Sequence, residues 1–231
     1  RAAEANLSAL IRVMTGRTVG TLFPRTPHEI GDPVLQLEGL SGGRLPEEVD
    51  LRVHKGEILG LFGLVGSGRT ELLRALYGLD PVREGRVTIG AVSDEGQPPS
   101  VRRGQALGLL SEDRQTEGLA LNQSIADNMT YGHMQPFSTM GYLRRSGQWE
   151  CVRTWIDNLG IRATGPGQPV DTLSGGNQQK VAIARLLHWD ADIILLDEPT
   201  RGIDVASKTT IYELIGELAA QGKTILFISS Y

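Results

Sequence analysis

The sequence predicts an α/β protein with a core of mainly parallel strands, an antiparallel β subdomain ahead of it and a helical lobe inserted into it. Three observations carry this reading. The glycine-rich stretch Gly63-Leu64-Val65-Gly66-Ser67-Gly68-Arg69-Thr70 lies between an apolar run (Ile58, Leu59, Leu61, Phe62) and good helix sequence (Glu71-Leu72-Leu73-Arg74-Ala75-Leu76). That is the strand, loop, helix order of a phosphate-binding loop. Ile193-Ile194-Leu195-Leu196 is fit for a buried strand and delivers Asp197-Glu198 at its end, where α/β sheets place their ligands. Between Gln123 and Arg162 the apolar spacing turns helical, with few strand signals.

In chain order, residues 1–16 carry Leu7, Leu10, Ile11 and Met14 at helical spacing and stop at Gly16, an amphipathic helix. Residues 17–33 hold three prolines between Thr21 and Pro33 and read as an extended linker. The main domain runs over 34–231. It opens with alternating patterns, Leu35 and Leu37 and then Val49, Leu51 and Val53, expected as half-buried antiparallel strands. Lys55-Gly56-Glu57 turns into the apolar run before the glycine loop, which is expected to be a buried strand. Val87 and Ile89 suggest another short strand, and residues 91–104, rich in Pro, Gly, Ser and charge, read as a surface loop.

Leu107 to Leu110 is a short strand ending at Ser111-Glu112-Asp113-Arg114, which puts Glu112 within reach of a ligand. The helical lobe is expected over about 113–172, with Trp149, Val152, Ile156 and Leu159 on one helix face. Tyr131, Phe137, Tyr142, Trp149 and Trp155 are expected as lobe core rather than as a base-stacking platform, some of them alternatively docking a partner. Leu173-Ser174-Gly175-Gly176-Asn177-Gln178-Gln179-Lys180 opens a helix running to about His188. It is either a second anion-binding helix end or a glycine-containing loop with an ordinary serine N-cap. Ile211, Leu214, Ile215 and Leu218 line a further helix, Thr224 to Ile228 is a last buried strand, and the domain is expected to be truncated just beyond it.

The glycines of the loop let backbone N–H groups converge on an anion, the helix N-terminus adds about half a positive charge, and Thr70 can ligate magnesium. The expected guest is a nucleoside triphosphate. Asp197 would then hold Mg²⁺ and Glu198 would orient water. Arg69 stands where a lysine is expected; its guanidinium grips phosphate bidentately but is bulkier, so the exchange is not conservative. The net charge of -4 gives no sign of a basic face for nucleic acid. No apolar run approaches the roughly 20 residues that span a bilayer, so membrane association is expected through a partner. The single cysteine, Cys151, excludes an internal disulfide and reads as a bystander.

A phosphate loop, then LSGGNQQ, then ILLDEPTRGID, in that order, resembles the ATP-binding cassette of ABC transporters, from about Val34 to the last residue. The details GLVGSGRTE, SEDR in place of a glutamine loop, LSGGNQQK and DEPTRGIDV are similar to the second, C-terminal cassette of the tandem proteins that energise bacterial sugar importers. Residues 1–16 would then be the tail of a preceding cassette. The resemblance implies that Gly63, Leu64, Val65, Gly66, Ser67, Gly68, Arg69, Thr70 and Glu71 bind ATP and that Thr70 and Asp197 hold Mg²⁺. It makes Glu198 the catalytic base, with Glu112 and Ser230 as further catalytic positions. Leu173, Ser174, Gly175, Gly176 and Gln178 would form a signature that contacts ATP held by an opposite cassette, and Asp204 would lie in the loop between the two sites. The implied partners are a second cassette upstream in the same polypeptide, integral membrane permease subunits and, indirectly, a sugar-binding protein. The implied place is the cytoplasmic face of the bacterial membrane, peripherally bound.

Three departures point to a weaker site of hydrolysis in this cassette. They are Arg69, Ser230 where many cassettes carry a switch histidine, and Ser41-Gly42-Gly43 with no aromatic to stack adenine. Two alternatives stand beside the importer: a regulatory cassette that binds nucleotide without significant hydrolysis, and a soluble cassette protein outside transport.

Overall fold

The alternation that begins at Val34 becomes a four-stranded antiparallel sheet, and the unbroken apolar runs become a four-stranded parallel one. The computed structural model describes residues 27–229. The helix expected over 1–16, most of the expected linker and Ser230 lie outside the described residues.

In chain order the strands are β1 (Pro33–Gly42), β2 (Val49–His54), β3 (Ile58–Leu61), β4 (Val82–Ile89), β5 (Val92–Asp94), β6 (Leu107–Leu110), β7 (Ser138–Thr139), β8 (Tyr142–Leu143), β9 (Ile193–Asp197) and β10 (Thr224–Ile228). The α-helices are α1 (Arg69–Tyr77), α2 (Pro99–Gly104), α3 (Ile125–Thr130), α4 (Arg145–Asn158), α5 (Gly175–His188) and α6 (Val205–Ala220). The antiparallel sheet has the order β2-β1-β4-β5 and the parallel sheet the order β3-β10-β9-β6.

Register follows from which side chains must leave water. Leu35 of β1 stands opposite Val53 on one side and Ile89 on the other, and Leu37 opposite Leu51 and Val87, so the inward residues of neighbouring strands coincide. Along β9, Ile193 and Leu195 face the core shared with the antiparallel sheet and with Leu72, Leu73 and Leu76 of α1. Ile194 and Leu196 face the second core, built with α3, α4, α5 and α6. A sheet covered on both faces needs apolar residues at every position, and all five residues of β9 are buried. β3 is expected to be buried and is only half-buried, because it is an edge strand paired on one side; Phe62 just beyond it is exposed and packs edge-on against Phe227.

Three other expectations are corrected. Residues 91–104 are not a loop but contain β5 and α2, and the charge that suggested solvent is an internal pair. Arg102 is fully buried and grips Asp94 through two bonds of 2.9 and 2.7 Å. The segment between α3 and α4 contains a β7–β8 hairpin whose two-residue turn, Met140-Gly141, has both φ angles positive (52° and 83°), as a type I′ turn requires. The hairpin leaves Met140 and Tyr142 exposed, and Tyr131 is also partly in solvent, so neither tyrosine joins the lobe core; Phe137 does.

The Arg102–Asp94 pair yields a stability prediction. Asp94→Ala leaves a buried guanidinium without its counter-charge and should destabilise the fold by about 3–5 kcal/mol, read from the denaturant midpoint. A loss under about 1 kcal/mol would be that of an exposed pair.

Candidate functional site

All four parallel strands run the same way, so the segments that follow β3, β6 and β9 meet at one edge. After β3 the chain folds into the glycine loop. Gly66 and Gly68 take positive φ (79° and 86°). At Gly68 there is also no room for a side chain, since a Cβ would come within 2.8 Å of the Leu45 Cβ. The loop closes with the Ser67 amide on the Leu64 carbonyl (3.1 Å) and leads into α1 at Arg69.

A cleft of about 500 Å³ opens at this edge, lined by Val65 through Glu71, Glu112, Asp197, Glu198, Arg201 and Ile228. Residues spread over more than a hundred positions of the chain are thereby brought together. A second hollow of about 370 Å³ shares Gly66 and Glu71 with it and is walled by Arg44, Leu45, Asp80 and Pro81. No aromatic residue lines it.

Asp197 ends β9 and is 2% exposed, and its Oδ1 is buried without a hydrogen-bond partner. Burial pushes its carboxyl above the usual carboxylate range; the Thr70 hydroxyl bonded to it opposes this, Glu198 reinforces it, Arg69 opposes it and Glu71 reinforces it. A buried oxygen beside a hydroxyl, with the charges of Glu198 and Glu71 acting on it, fits a hard cation. Among the described residues no cluster of three or more His, Cys, Asp or Glu forms a closed metal cage. Mg²⁺ takes one or two carboxylates and fills its shell with phosphate and water. Thr70 and Asp197 are the residues that would hold it.

Glu198 follows with φ 46°, a left-handed conformation uncommon outside glycine. Its amide donates to the Ile228 carbonyl (3.1 Å) and its carbonyl accepts from the Arg201 amide (3.0 Å), so the turn is fixed from both sides. Arg69 donates from Nη1 to the Ser229 carbonyl and from Nη2 to the Leu64 carbonyl, both at 3.3 Å. These contacts are long for charge-assisted bonds. Glu112 forms an ion pair with Arg201 at the mouth of the cleft.

The Ser174 to Gly176 end of α5 does not line this cleft. Ser174 is the N-cap residue, but its hydroxyl makes no capping bond and instead accepts from the Asn177 side chain (2.9 Å). That argues against the ordinary serine cap. Gly175 and Gly176 let the helix end approach its neighbours: a Cβ at Gly175 would lie 2.8 Å from Arg114 Nη2, and one at Gly176 would collide with the Ser207 side chain. Leu173 is buried, and Gln178 turns inward and donates to the Val170 carbonyl (3.1 Å), so neither presents its side chain outward. Asp204 caps α6, accepting from the Ser207 amide (3.0 Å) and hydroxyl (2.6 Å). Burial pushes the Cys151 thiol up, against the thiolate form.

Sequence reasoning missed Arg201 in the cleft and Arg114 beside it. Their only signal is position, each adjoining an acidic motif, SEDR or DEPTRGID.

The strain at Glu198 yields a prediction. Glu198→Gly should raise stability by about 1 kcal/mol, since glycine meets φ 46° without a Cβ and one carboxylate leaves the cleft. Denaturant titration of both forms checks this, and destabilisation would contradict it.

A family model described as ABC transporter matches residues 46–201. A ribose import ATP-binding protein of Geobacillus kaustophilus is 40% identical over 235 residues, covering 100% of this chain and 47% of its own length. One from Rubrobacter xylanophilus is 41% identical over 233 residues, covering 99% of this chain and 46% of its own. A putative ribose/galactose/methyl galactoside import ATP-binding protein of Burkholderia lata is 42% identical over 233 residues, covering 99% and 45%. The chain spans about half the length of the curated relatives it matches. Among solved structures, an ATP-binding cassette of an ABC transporter in its ADP conformation superposes with a TM-score of 0.70 at 22% identity, covering 86% of this chain and 81% of that one. The dimeric post-hydrolysis state of a cassette bound to ADP and Pi gives 0.70 at 22%, covering 84% and 87%. At these identities the likeness is one of fold, the mixed α/β fold of a nucleotide-binding cassette.

Proposed function

Because the chain belongs to the ABC transporter family, we propose that it is the ATP-binding and ATP-hydrolysing cassette of a bacterial carbohydrate importer. The observation that carries this is the meeting of the glycine loop, Asp197 and Glu198 in one cleft at the C-terminal edge of the parallel sheet. The names of the relatives support a sugar as cargo. Their length, with the GRTE, SEDR and GNQQK details, supports the second cassette of a tandem polypeptide. Its partners are then a first cassette and the membrane permease, with the binding protein behind them, on the cytoplasmic face. No helix among the described residues is long and apolar enough to cross a membrane.

The amides of Gly63 to Thr70 hold the β- and γ-phosphates, and Arg69 adds its charge. Bound Mg²⁺ would neutralise oxygens of both phosphates. Glu198 accepts a proton from the water it aims at the γ-phosphorus. The new P–O bond forms as the bond to the β-phosphate oxygen breaks, giving ADP and phosphate. The base belongs in the adjoining hollow beside Arg44. The end of α5, lying outside the cleft, serves ATP bound by the opposite cassette, so each site is composite.

This cassette is also the weaker site. Loss of one preorganised donor typically costs 10²–10³ in rate, which would bring a median turnover of roughly 10 per second to about 0.1 or less. A purely regulatory reading is favoured by one observation: Arg69, though it lines the cleft, is engaged by the Ser229 and Leu64 carbonyls.

Single-turnover hydrolysis in the full tandem protein separates these readings. Glu198→Gln should keep ATP bound and slow hydrolysis at this cassette by at least about 100-fold. The matching change in the first cassette should abolish the larger share of total turnover. Equal losses would refute the asymmetry, and no loss at all from Glu198→Gln would leave the regulatory reading standing.

A further inference from the structure

Arg114 lies beside the cleft rather than in it, yet two functional segments, the turn after β9 and the start of α5, meet on its side chain. After β6 the chain passes Glu112 and then makes a single π-helical turn, Arg114–Gly118. Such turns are rare and frequent at functional sites. Asp113 caps it, accepting from the Gln115 amide (3.0 Å), the Thr116 amide (3.1 Å) and the Thr116 hydroxyl (2.7 Å). Glu117 in the same turn binds Arg74 of α1, the helix that begins in the phosphate loop, at 2.9 and 3.0 Å, and accepts from Ser111 (2.8 Å).

From this turn Arg114 donates Nη1 to the Arg201 carbonyl (3.1 Å) and Nη2 to the Gly202 carbonyl (3.3 Å). The Arg201 amide in turn holds the Glu198 carbonyl. The same Nη2 sits against Gly175 at the start of α5, 2.8 Å from where a Cβ would lie. Its Nε is buried without a partner, and burial works against its charge. Among the described residues its hydrogen bonds go to neutral carbonyls and not to a carboxylate. A half-buried cation so placed is a poor stabiliser, which leaves its geometry as the reason for it.

We propose that Arg114 is a positioning residue for hydrolysis, a bracket that fixes the Glu198-to-Asp204 turn against the end of α5 and ties both, through Glu117 and Arg74, to the phosphate-loop helix. It does not touch nucleotide. It aims Glu198 and seats the Ser174 to Gly176 segment, so that both halves of a composite site move with the turn after β6. The inference rests on the ATPase reading above.

The test uses the full-length protein, with steady-state hydrolysis, affinity for a fluorescent ATP analogue and the thermal unfolding midpoint measured together. Arg114→Gln should lower kcat at least about tenfold while affinity stays within about twofold and the midpoint hardly moves. Arg114→Lys, able to reach one carbonyl, should recover part of the rate. If Arg114→Gln does not fold, Glu117→Gln loosens the same turn from the α1 side and should give a smaller kcat loss at unchanged affinity. Unchanged kcat, or a fall in rate, affinity and midpoint together, overturns the proposal. Failure of the unsubstituted protein to bind the analogue would overturn the ATPase reading itself.

Discussion

The carboxylate of Asp197 stands at the end of a strand buried along its whole length, with one oxygen that has no hydrogen-bond partner among the described residues. An unsatisfied buried oxygen of this kind costs about 1–3 kcal/mol, more when charged. Glu198, Glu71 and Glu112 line the same cleft. Across that cleft the glycine loop has the opposite surplus, main-chain N–H groups at a helix start. A cation with a polyphosphate would answer both at once, with Thr70 and Asp197 to hold the metal and the loop amides to hold the phosphate. The rest of the fold serves to hold these two unsatisfied halves at a fixed separation.

The parallel sheet sets that separation. β10 lies between β3 and β9 in register, Leu226 beside Leu59 and Leu195, so the segments after β3 and β9 emerge at the same level. Glu198 is then forced into a left-handed turn by bonds to β10 and to Arg201. That strain is tolerated because the two cores on either face of the sheet over-determine the strand below it. The start of α5 is held by the same turn but does not line this cleft.

The parts legible in the sequence are those with short-range signatures. The loop between Gly63 and Thr70, the Asp197-Glu198 pair, the strands and the long helices each carry a local pattern of apolar spacing or glycine, and their joining in one fold follows from the parallel-sheet rule. What was not legible depends on partners distant in sequence or on weak turn chemistry. Arg102 and Asp94 read as solvent-facing charge until each is seen to neutralise the other inside. Met140-Gly141 lacks the Asn or Asp that normally announces a type I′ turn. Arg114 recognises carbonyls 87 and 88 residues away, and a main-chain acceptor leaves no trace in residue identity. Gln178, though inside the signature, faces inward because its amide satisfies the Val170 carbonyl.

Arg69 is where the account is most exposed. Its two bonds, at 3.3 Å to neutral carbonyls, are weaker than the charge-assisted bonds a phosphate offers, so bound ATP should draw it away. A crystal structure with Mg²⁺ and a non-hydrolysable ATP analogue tests this most directly. The account predicts the phosphates on the Gly63 to Thr70 amides, the cation on Thr70 and Asp197, and the Arg69 guanidinium turned from Ser229 and Leu64 onto the phosphates. Phosphates bound elsewhere, or Arg69 unmoved with Asp197 Oδ1 still unpartnered, would contradict it.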